Sequence, residues 1–356
     1  MSDEIIIEQL KSSDKDKVLS FLRKAYDDNP RMSDRAFWDW HYRQAPHSED
    51  GKLPVWVAKS CEQVVGQIGT IPVIVNVEGE RRRAIWVLDM IVAPEFRGRG
   101  LAKKIVKAAH ADCPFGLVIN TSEQAGSTKL LQDSGYKIIT NVPRFHKLLY
   151  PANDVRELAN LNLLRKTANL AFAPFRPRFE KNENVRAVEQ FDASFDEFWA
   201  ESSAQWKSSV ERSVKYLEWQ YLLQPGKKFE ILGYYEGEKL RGFAVLFFRK
   251  PRANASIPKA AISDICYHPE NSAKIVDALL RESVRIAVER RAGGLVTDAL
   301  DALVEERLTN FGFWRVKNPL QFMVKSDEQQ DLVHNPKNWH LTRGDSDISI
   351  FESPNL

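Results

Sequence analysis

At 356 residues the chain is too long for one ordinary hydrophobic core and fits two domains. Its 51 Lys and Arg stand against 48 Asp and Glu, a net charge of +3, so no global field draws it to nucleic acid and any affinity for phosphate has to be local. The three cysteines, Cys61, Cys113 and Cys266, show no CxxC spacing, which argues against a zinc site or a disulfide framework, and no metal is expected.

The first residues, Met1 to Ile7, are acidic and lack the basic region and apolar core of a signal peptide. No run of about 18 apolar residues is present to span a membrane, so a soluble, cytoplasmic protein is expected. Ile5 to Leu10 reads as a strand. Ser13 and Asp14 precede apolar residues at Val18, Leu19, Leu22, Ala25 and Tyr26, the spacing of a capped amphipathic helix. Ser33 to Tyr42 follows as a short aromatic helix, stopped near Pro46. Its rings are expected to pack under a sheet; the functional alternative is that Trp38, Trp40, His41 and Tyr42 line an acceptor pocket. Val55 to Ala58 and Val64 to Val75 form an antiparallel pair turned at Cys61 to Gln63, and Glu78-Gly79-Glu80 turns the chain into a further strand, Ala84 to Asp89.

That strand opens the most informative stretch. Leu88 to Val92 is apolar, Pro94 opens a turn, and Arg97-Gly98-Arg99-Gly100 runs into a helix with apolar residues at Leu101, Ile105, Ala108 and Ala109. Gly98 and Gly100 let the backbone turn tightly and approach a ligand, and the helix presents unpaired N–H groups and its positive dipole end to whatever sits in the loop. Arg97, Arg99, Lys103 and Lys104 add positive charge there, so an anion such as a pyrophosphate is expected.

The order strand, Val-Ala-Pro-Glu, then Arg97 to Ala102 resembles the acyl-coenzyme A signature of the GNAT superfamily of N-acetyltransferases, with Arg97, Gly100 and Ala102 in its fixed positions. The resemblance covers about residues 5 to 150, since Gly116 to Asn120 reads as the next strand, Ser127 to Asp133 as a helix stopped at Gly135, and Tyr136 to Ile139 as a last strand. It implies an α+β fold, a mixed, mostly antiparallel sheet flanked by helices. It further implies that acetyl-coenzyme A binds with its pantetheine along Ile91 and Val92 and its pyrophosphate on Arg97, Gly98, Arg99, Gly100, Leu101, Ala102 and Lys103. Asn120 and Ser127 would complete the coenzyme site. One departure stands out. The family often carries a tyrosine four residues before the helix-ending glycine to protonate the leaving thiolate, and here that position is Leu131. Tyr136, Ser127 or water would have to serve.

Asp154 to Phe172 has leucines at 158, 161, 164 and 170 with Arg165 and Lys166 between them, a linker helix over 151–185 that either packs between domains or touches lipid as a basic amphipathic helix. The second half then repeats the first. Tyr216 to Pro225 mirrors Phe37 to Pro46, Ser263 to Glu270 mirrors Leu88 to Glu95, and Phe311-Gly312-Phe313 mirrors Ser134-Gly135-Tyr136. Where the first copy has Arg97 to Gly100, the second has Ser272-Ala273-Lys274-Ile275 and no glycine, so the second copy should not bind coenzyme A. Two tandem GNAT-like domains are expected, 1–150 working and 186–326 degenerate, with a tail over 327–356. The tail residues Asn338 to Asp347 read as a segment tied down by hydrogen bonds; they also resemble the tail of tandem acetyltransferases found with surface-polysaccharide genes, which would place them near the acceptor.

The expected reaction moves an acetyl group to a primary amine of a small molecule, an amino sugar being the first candidate. Asp89 is the candidate base, ahead of His41 and Glu123, and the backbone amide near Val92 the group polarising the thioester. The alternatives are a non-catalytic coenzyme-binding scaffold and a fold-related acyl- or aminoacyl-transferase.

Overall fold

The computed structural model describes residues 4–26, 34–49, 51–121, 125–154, 162–249 and 259–345. Ser33, Glu123, Leu158, Leu161, Ser346 and Asp347 lie outside them. Among the described residues the strands are β1 Ile5–Gln9, β2 Val55–Ser60, β3 Gln63–Val77, β4 Glu80–Val92, β5 Gly116–Thr121, β6 Lys137–Asn141, β7 Arg144–Leu148 and β8 Val185–Val188. They continue with β9 Ser208–Val210, β10 Phe229–Glu236, β11 Lys239–Arg249, β12 Lys259–Tyr267, β13 Gly294–Leu300, β14 Trp314–Val316, β15 Leu320–Lys325 and β16 Trp339–Thr342. The main helices are α1 Lys15–Ala25, α2 Leu101–Ala109, α3 Ala125–Asp133, α4 Asn162–Ala171, α5 Ala193–Ser202, α6 Ser272–Glu289 and α7 Ala302–Asn310. The class is α+β.

The largely apolar stretch Val64 to Val77 folds back through the Glu78-Gly79 turn onto β4, giving the longest ladder among the described residues. Strands β1 to β5 lie side by side in sequence order, antiparallel except for the parallel pair β4 and β5. The same order recurs in β8, β10, β11, β12 and β13, again with only the last two parallel. In each half the next strand comes from the other. β15 inserts between β5 and β6, and β7 inserts between β13 and β14. The sheets therefore depart from the sequence boundaries at 150 and 326, because Arg144–Leu148 is a strand of the second half and Leu320–Lys325 a strand of the first. A period-two apolar pattern fixes which face of a strand is buried but not which sheet receives it. Two short strands, β9 and β16, bridge β3 to β13, so all sixteen strands belong to one sheet.

Helix α2 covers one face of the first half, on a core of Val65, Ile68, Val87, Ile105, Val118 and Met323. The aromatic stretch covers the opposite face. Asp34 caps it by accepting from the Phe37 N–H at 2.7 Å, one turn of α-helix follows over Arg35–Trp38, and the chain then widens into a π-type turn over Asp39–Arg43. The second half builds the same device with Ser213, Val214–Leu217 and Glu218–Leu222. Equivalent residues meet between the halves: Trp40 and Trp219 stack with centroids 5.1 Å apart, and each indole N–H donates to the other's backbone carbonyl, at 2.7 and 2.8 Å. The linker is less central than the sequence allows, since α4 lies on the outside of the second half and not between the two.

Trp40→Ala and Trp219→Ala should each lower the unfolding free energy by about 3–5 kcal/mol, the usual cost of emptying a buried indole site. Because the two rings share one contact, the double variant should lose less than the sum by about 1–3 kcal/mol in urea titrations.

Candidate active site

Strands β4 and β5 pair only at Ile85 with Gly116 and Trp86 with Leu117. Beyond that point β4 continues to Val92 held by β3, and β5 continues to Thr121 held by β15, so each strand stays fixed on its outer side while their facing edges part. The result is a wedge whose walls carry backbone groups with no ladder across it. The Ala93 N–H donates to Val65 O at 2.9 Å on the β3 side. Successive residues of a strand point their amides to opposite edges, so the Val92 N–H faces the wedge.

The loop at the mouth follows directly. Gly98 and Gly100 take φ of +76° and +70°, the left-handed region that glycine enters without cost, and no atom lies within 4 Å of where a Cβ would stand. The requirement is conformational, and the space over the loop is open. Gly100 is the last residue before α2, so the helix's first N–H groups turn into that space. Arg97 Nε donates to Val92 O at 3.0 Å, fastening the loop to the strand end, and the Arg99 guanidinium carbon lies 5.1 Å from the Phe96 ring centroid. Arg97, Arg99, Lys103 and Lys104 are exposed around the mouth, whereas Leu101 is buried and Ala102 partly so, anchoring the helix to the sheet.

Asp89 interrupts β4. The register against β3 passes from Leu88 opposite Gly69 to Ile91 opposite Gln67, so two residues of β4 oppose one of β3, and Asp89 takes a left-handed φ of +50°. Aspartate tolerates that conformation better than most residues, and the bulge re-aims its side chain. The carboxylate accepts from the Tyr42 hydroxyl, and the Asp89 carbonyl accepts from Gln67 Nε2 at 3.3 Å. Tyr42 crosses the sheet to get there over Gly69, where a Cβ would stand 2.3 Å from its hydroxyl. Of the four aromatic-stretch candidates, Tyr42 thus reaches the bulge. Trp38 and Trp40 are core residues, and His41 is buried among Phe37, Trp40 and Tyr42.

On the β5 wall, Asn120 Nδ2 donates to Thr128 Oγ1 at 2.8 Å and the Ser127 hydroxyl donates to Asn120 Oδ1 at 3.1 Å, tying the strand end to α3. Leu131 points into the core beneath that helix. Tyr136 has to be corrected. Its buried hydroxyl is 2.8 Å from His110 Nε2, just past the C-terminus of α2, whereas the glycine loop is at the other end of that helix. The same hydroxyl lies against Gly116, where β4 and β5 are still paired through Ile85, so Tyr136 sits beneath the closed end of the wedge and not beside a thiolate inside it. Two residues escaped the sequence reading. Thr128 orients Asn120, and Gln67 is fully buried with an Oε1 that has no hydrogen-bond partner among the described residues. The only signal for Gln67 was an amide set among Val64, Val65 and Ile68.

These features agree with known proteins. Residues 7–118 match the family profile described as an acetyltransferase (GNAT) domain. The GNAT match thus falls in the first half, over β1 to the start of β5. No curated protein matches the chain by sequence. In fold it is similar to Saccharomyces cerevisiae N-myristoyltransferase with bound myristoyl-CoA, at a TM-score of 0.59 and 11% identity over 91% of this chain and 83% of that one. It is also similar to a probable N-acyltransferase from Enterococcus faecalis, at 0.60 and 14% over 92% and 74%. A GCN5-related N-acetyltransferase from Anabaena variabilis gives 0.60 and 11% over 90% and 72%.

The other half lacks what makes the GNAT half open. Strands β12 and β13 pair over three residues and then part, but β16 enters the gap, with Thr342 opposite Ala299 and Leu341 opposite Leu300. The loop is not a degenerate version of Arg97–Gly100; it is absent. Asn271, at φ +60°, takes the left-handed position directly after Glu270, and Ser272 to Ile275 are already the first turn of α6. Asp264, the counterpart of Asp89, accepts from Tyr221 Oη at 2.9 Å, as Asp89 does from Tyr42, but also from Arg212 Nε at 2.8 Å and Thr342 Oγ1 at 2.8 Å. Burial pushes this carboxyl up and the Arg212 charge with these donors more than offsets it, so it stays below the usual carboxylate range. Cys266 and His340 lie beside it, 3.5 Å apart, with His340 Nδ1 2.9 Å from Asp301. The lone pairs of Asp264 are already committed to arginine, tyrosine and threonine.

The buried His110 behind α2 gives the GNAT half an acid-sensitive point. Burial pushes its imidazole down to about 4, so the unfolded chain binds the extra proton first, and stability present above the unfolded value is lost as pH falls towards 4. Between pH 7 and about pH 4.5 His110 should account for a loss of about 2–3 kcal/mol in urea unfolding, and His110→Gln should flatten that slope.

Proposed function

We propose that the GNAT half transfers an acetyl group from acetyl-coenzyme A to a primary amine of a small molecule, and that the second half is a degenerate copy that closes and supports the site without loading coenzyme. The observation that carries this is the unladdered wedge between β4 and β5, ending in a left-handed glycine loop at a helix N-terminus. The pantetheine arm lies along the β4 edge at Ile91 and Val92, and the pyrophosphate takes the loop and helix amides among Arg97, Gly98, Arg99, Gly100, Leu101, Ala102 and Lys103. Asn120 and Ser127 bound the opposite wall.

In this reading the Val92 N–H polarises the thioester carbonyl, the amine nitrogen attacks the carbonyl carbon, and the carbon–sulfur bond breaks. The amine proton passes to the Asp89 carboxylate, which Tyr42 orients, and coenzyme A leaves as a thiolate that takes its proton from water or Ser127. The buried Gln67 amide oxygen, beside the bulge, accepts an N–H of the acceptor. An amino sugar is the first acceptor to try, the polysaccharide link resting on the resemblance of the tail.

The test is calorimetric titration of acetyl-coenzyme A into the wild type and Gly100→Glu, followed by a thiol-release assay on a panel of amines headed by amino sugars. One site per chain, lost in the variant, is the expected result; no binding to the wild type overturns the reading. Asp89→Asn should lower kcat by roughly 10²–10⁴-fold with coenzyme affinity intact, the range for loss of a general base. Loss of stability with kcat unchanged would leave Asp89 a purely structural partner of Tyr42.

A further inference from the structure

Helix α4 sits on the molecule the wrong way round for a soluble surface helix. Its polar residue Asn169 faces the protein, where Nδ2 donates to Asn153 Oδ1 at 2.7 Å and Oδ1 accepts from the Ala152 N–H at 3.3 Å. Arg176 clamps the end of the segment, stacked 3.7 Å from the Tyr150 ring centroid and donating to Asn169 O at 3.0 Å and Leu149 O at 3.2 Å. The apolar residues point outward: Leu163 is 78% exposed, Leu164 57%, Leu170 73% and Phe175 77%. These are four of the nine large hydrophobic side chains that the described residues expose, gathered in thirteen positions. Leu163 and Leu170 lie seven residues apart, two turns on one side, and Phe175 extends the patch past the helix end. A helix whose polar side is hydrogen-bonded to its own protein and whose leucines face water has its apolar face prepared for another phase.

Charge identifies that phase. Residues 162–181 hold Arg165, Lys166, Arg176, Arg178 and Lys181 against Glu180 alone, a net of +4 in a chain whose whole net charge is +3. Lys166, Arg178 and Lys181 are exposed beside the apolar patch. Leucine and phenylalanine flanked by exposed cations, on a short helix lying against the body, fit the boundary between headgroups and acyl chains of an anionic bilayer. No helix among the described residues is long and apolar enough to cross a membrane, so the contact is one of lying on the surface.

We propose that α4 and the segment through Lys181 dock this protein on an anionic membrane surface, with Leu163, Leu164, Leu170 and Phe175 inserted and Lys166, Arg178 and Lys181 at headgroup level. The attachment point lies next to Leu149, Tyr150 and Gly293 at the N-terminal end of β13, the end of the second half away from its wedge. Docking there leaves the coenzyme loop uncovered by α4.

The experiment is flotation of the full chain with vesicles of phosphatidylcholine alone and of roughly two parts phosphatidylcholine to one of phosphatidylglycerol, with sedimentation velocity run in parallel. The mixed vesicles should capture roughly tenfold or more protein than the neutral ones, and the excess should fall as salt rises. Leu163→Glu with Leu170→Glu should abolish capture; both positions are exposed, so folding should be kept, with an unchanged urea midpoint as the check. Lys166→Glu with Arg178→Glu should remove the preference for anionic lipid. Equal capture of wild type and the leucine variant, or no capture by mixed vesicles, overturns the proposal. A wild-type dimer that the leucine variant converts to monomer overturns it in favour of a second copy as the occupant.

Discussion

Trp40 and Trp219 each give an indole N–H to the backbone carbonyl of the other, a reciprocal contact that requires two copies of the same widened turn to face one another. Everything around it follows that approximate two-fold relation. Tyr42 reaches Asp89 on one side and Tyr221 reaches Asp264 on the other, in both cases at an irregularity of the fourth strand of the half. The exchanged strands β7 and β15 keep the same relation. Between them runs a buried set of charges, with Arg212 held by Asp264 and Asp345, and Arg144 and Arg343 both on Asp298. Such pairs add little net stability over an apolar core, but removing one member strands the rest, so they tie β7, β12 and β13 to residues 342–345.

Symmetry of the scaffold makes the asymmetry of the clefts informative. Both halves part their central parallel strands, and only one leaves the gap open. In the second half, β16 lines the gap and Thr342, Arg212 and Asp345 saturate the polar groups around Asp264, so a coenzyme would have to displace protein and not water. Residues 339–345 thus fill the gap of the second copy. Trp339, His340 and Arg343 of this stretch are all buried, Trp339 in the apolar core and His340 and Arg343 against Asp301 and Asp298.

The coenzyme motif was legible because its physics is local: strand, glycine loop and helix are contiguous, and their spacing carries the geometry. The repeat was legible for the same reason, through the Trp-x-Tyr match of Trp40 and Tyr42 with Trp219 and Tyr221. The strand exchange was not, since Arg144–Leu148 and Leu320–Lys325 read as ordinary strands whichever sheet they join. Aligning the second copy by column also misplaced Ser272 to Ile275, because nothing in sequence announces that Asn271 takes the left-handed turn at once. Tyr136 failed as an acid for a related reason: proximity to the helix-ending glycine in sequence said nothing of which end of α2 its hydroxyl would meet. The linker helix revealed its amphipathic character but not which face it turns to the protein.

The exchange of β7 and β15 has a consequence for how the chain is made. When β5 and β6 have left the ribosome, the slot between them still lacks its strand, which lies about 180 residues further on. At about 5–20 residues per second the nascent coenzyme half waits roughly 10–40 seconds with two unsatisfied strand edges on display. Its pairing is then among the longest-range in the molecule, the kind that closes late. A gene fragment ending near residue 150 would encode the entire coenzyme motif and yet leave β5 and β6 without the strand that joins them.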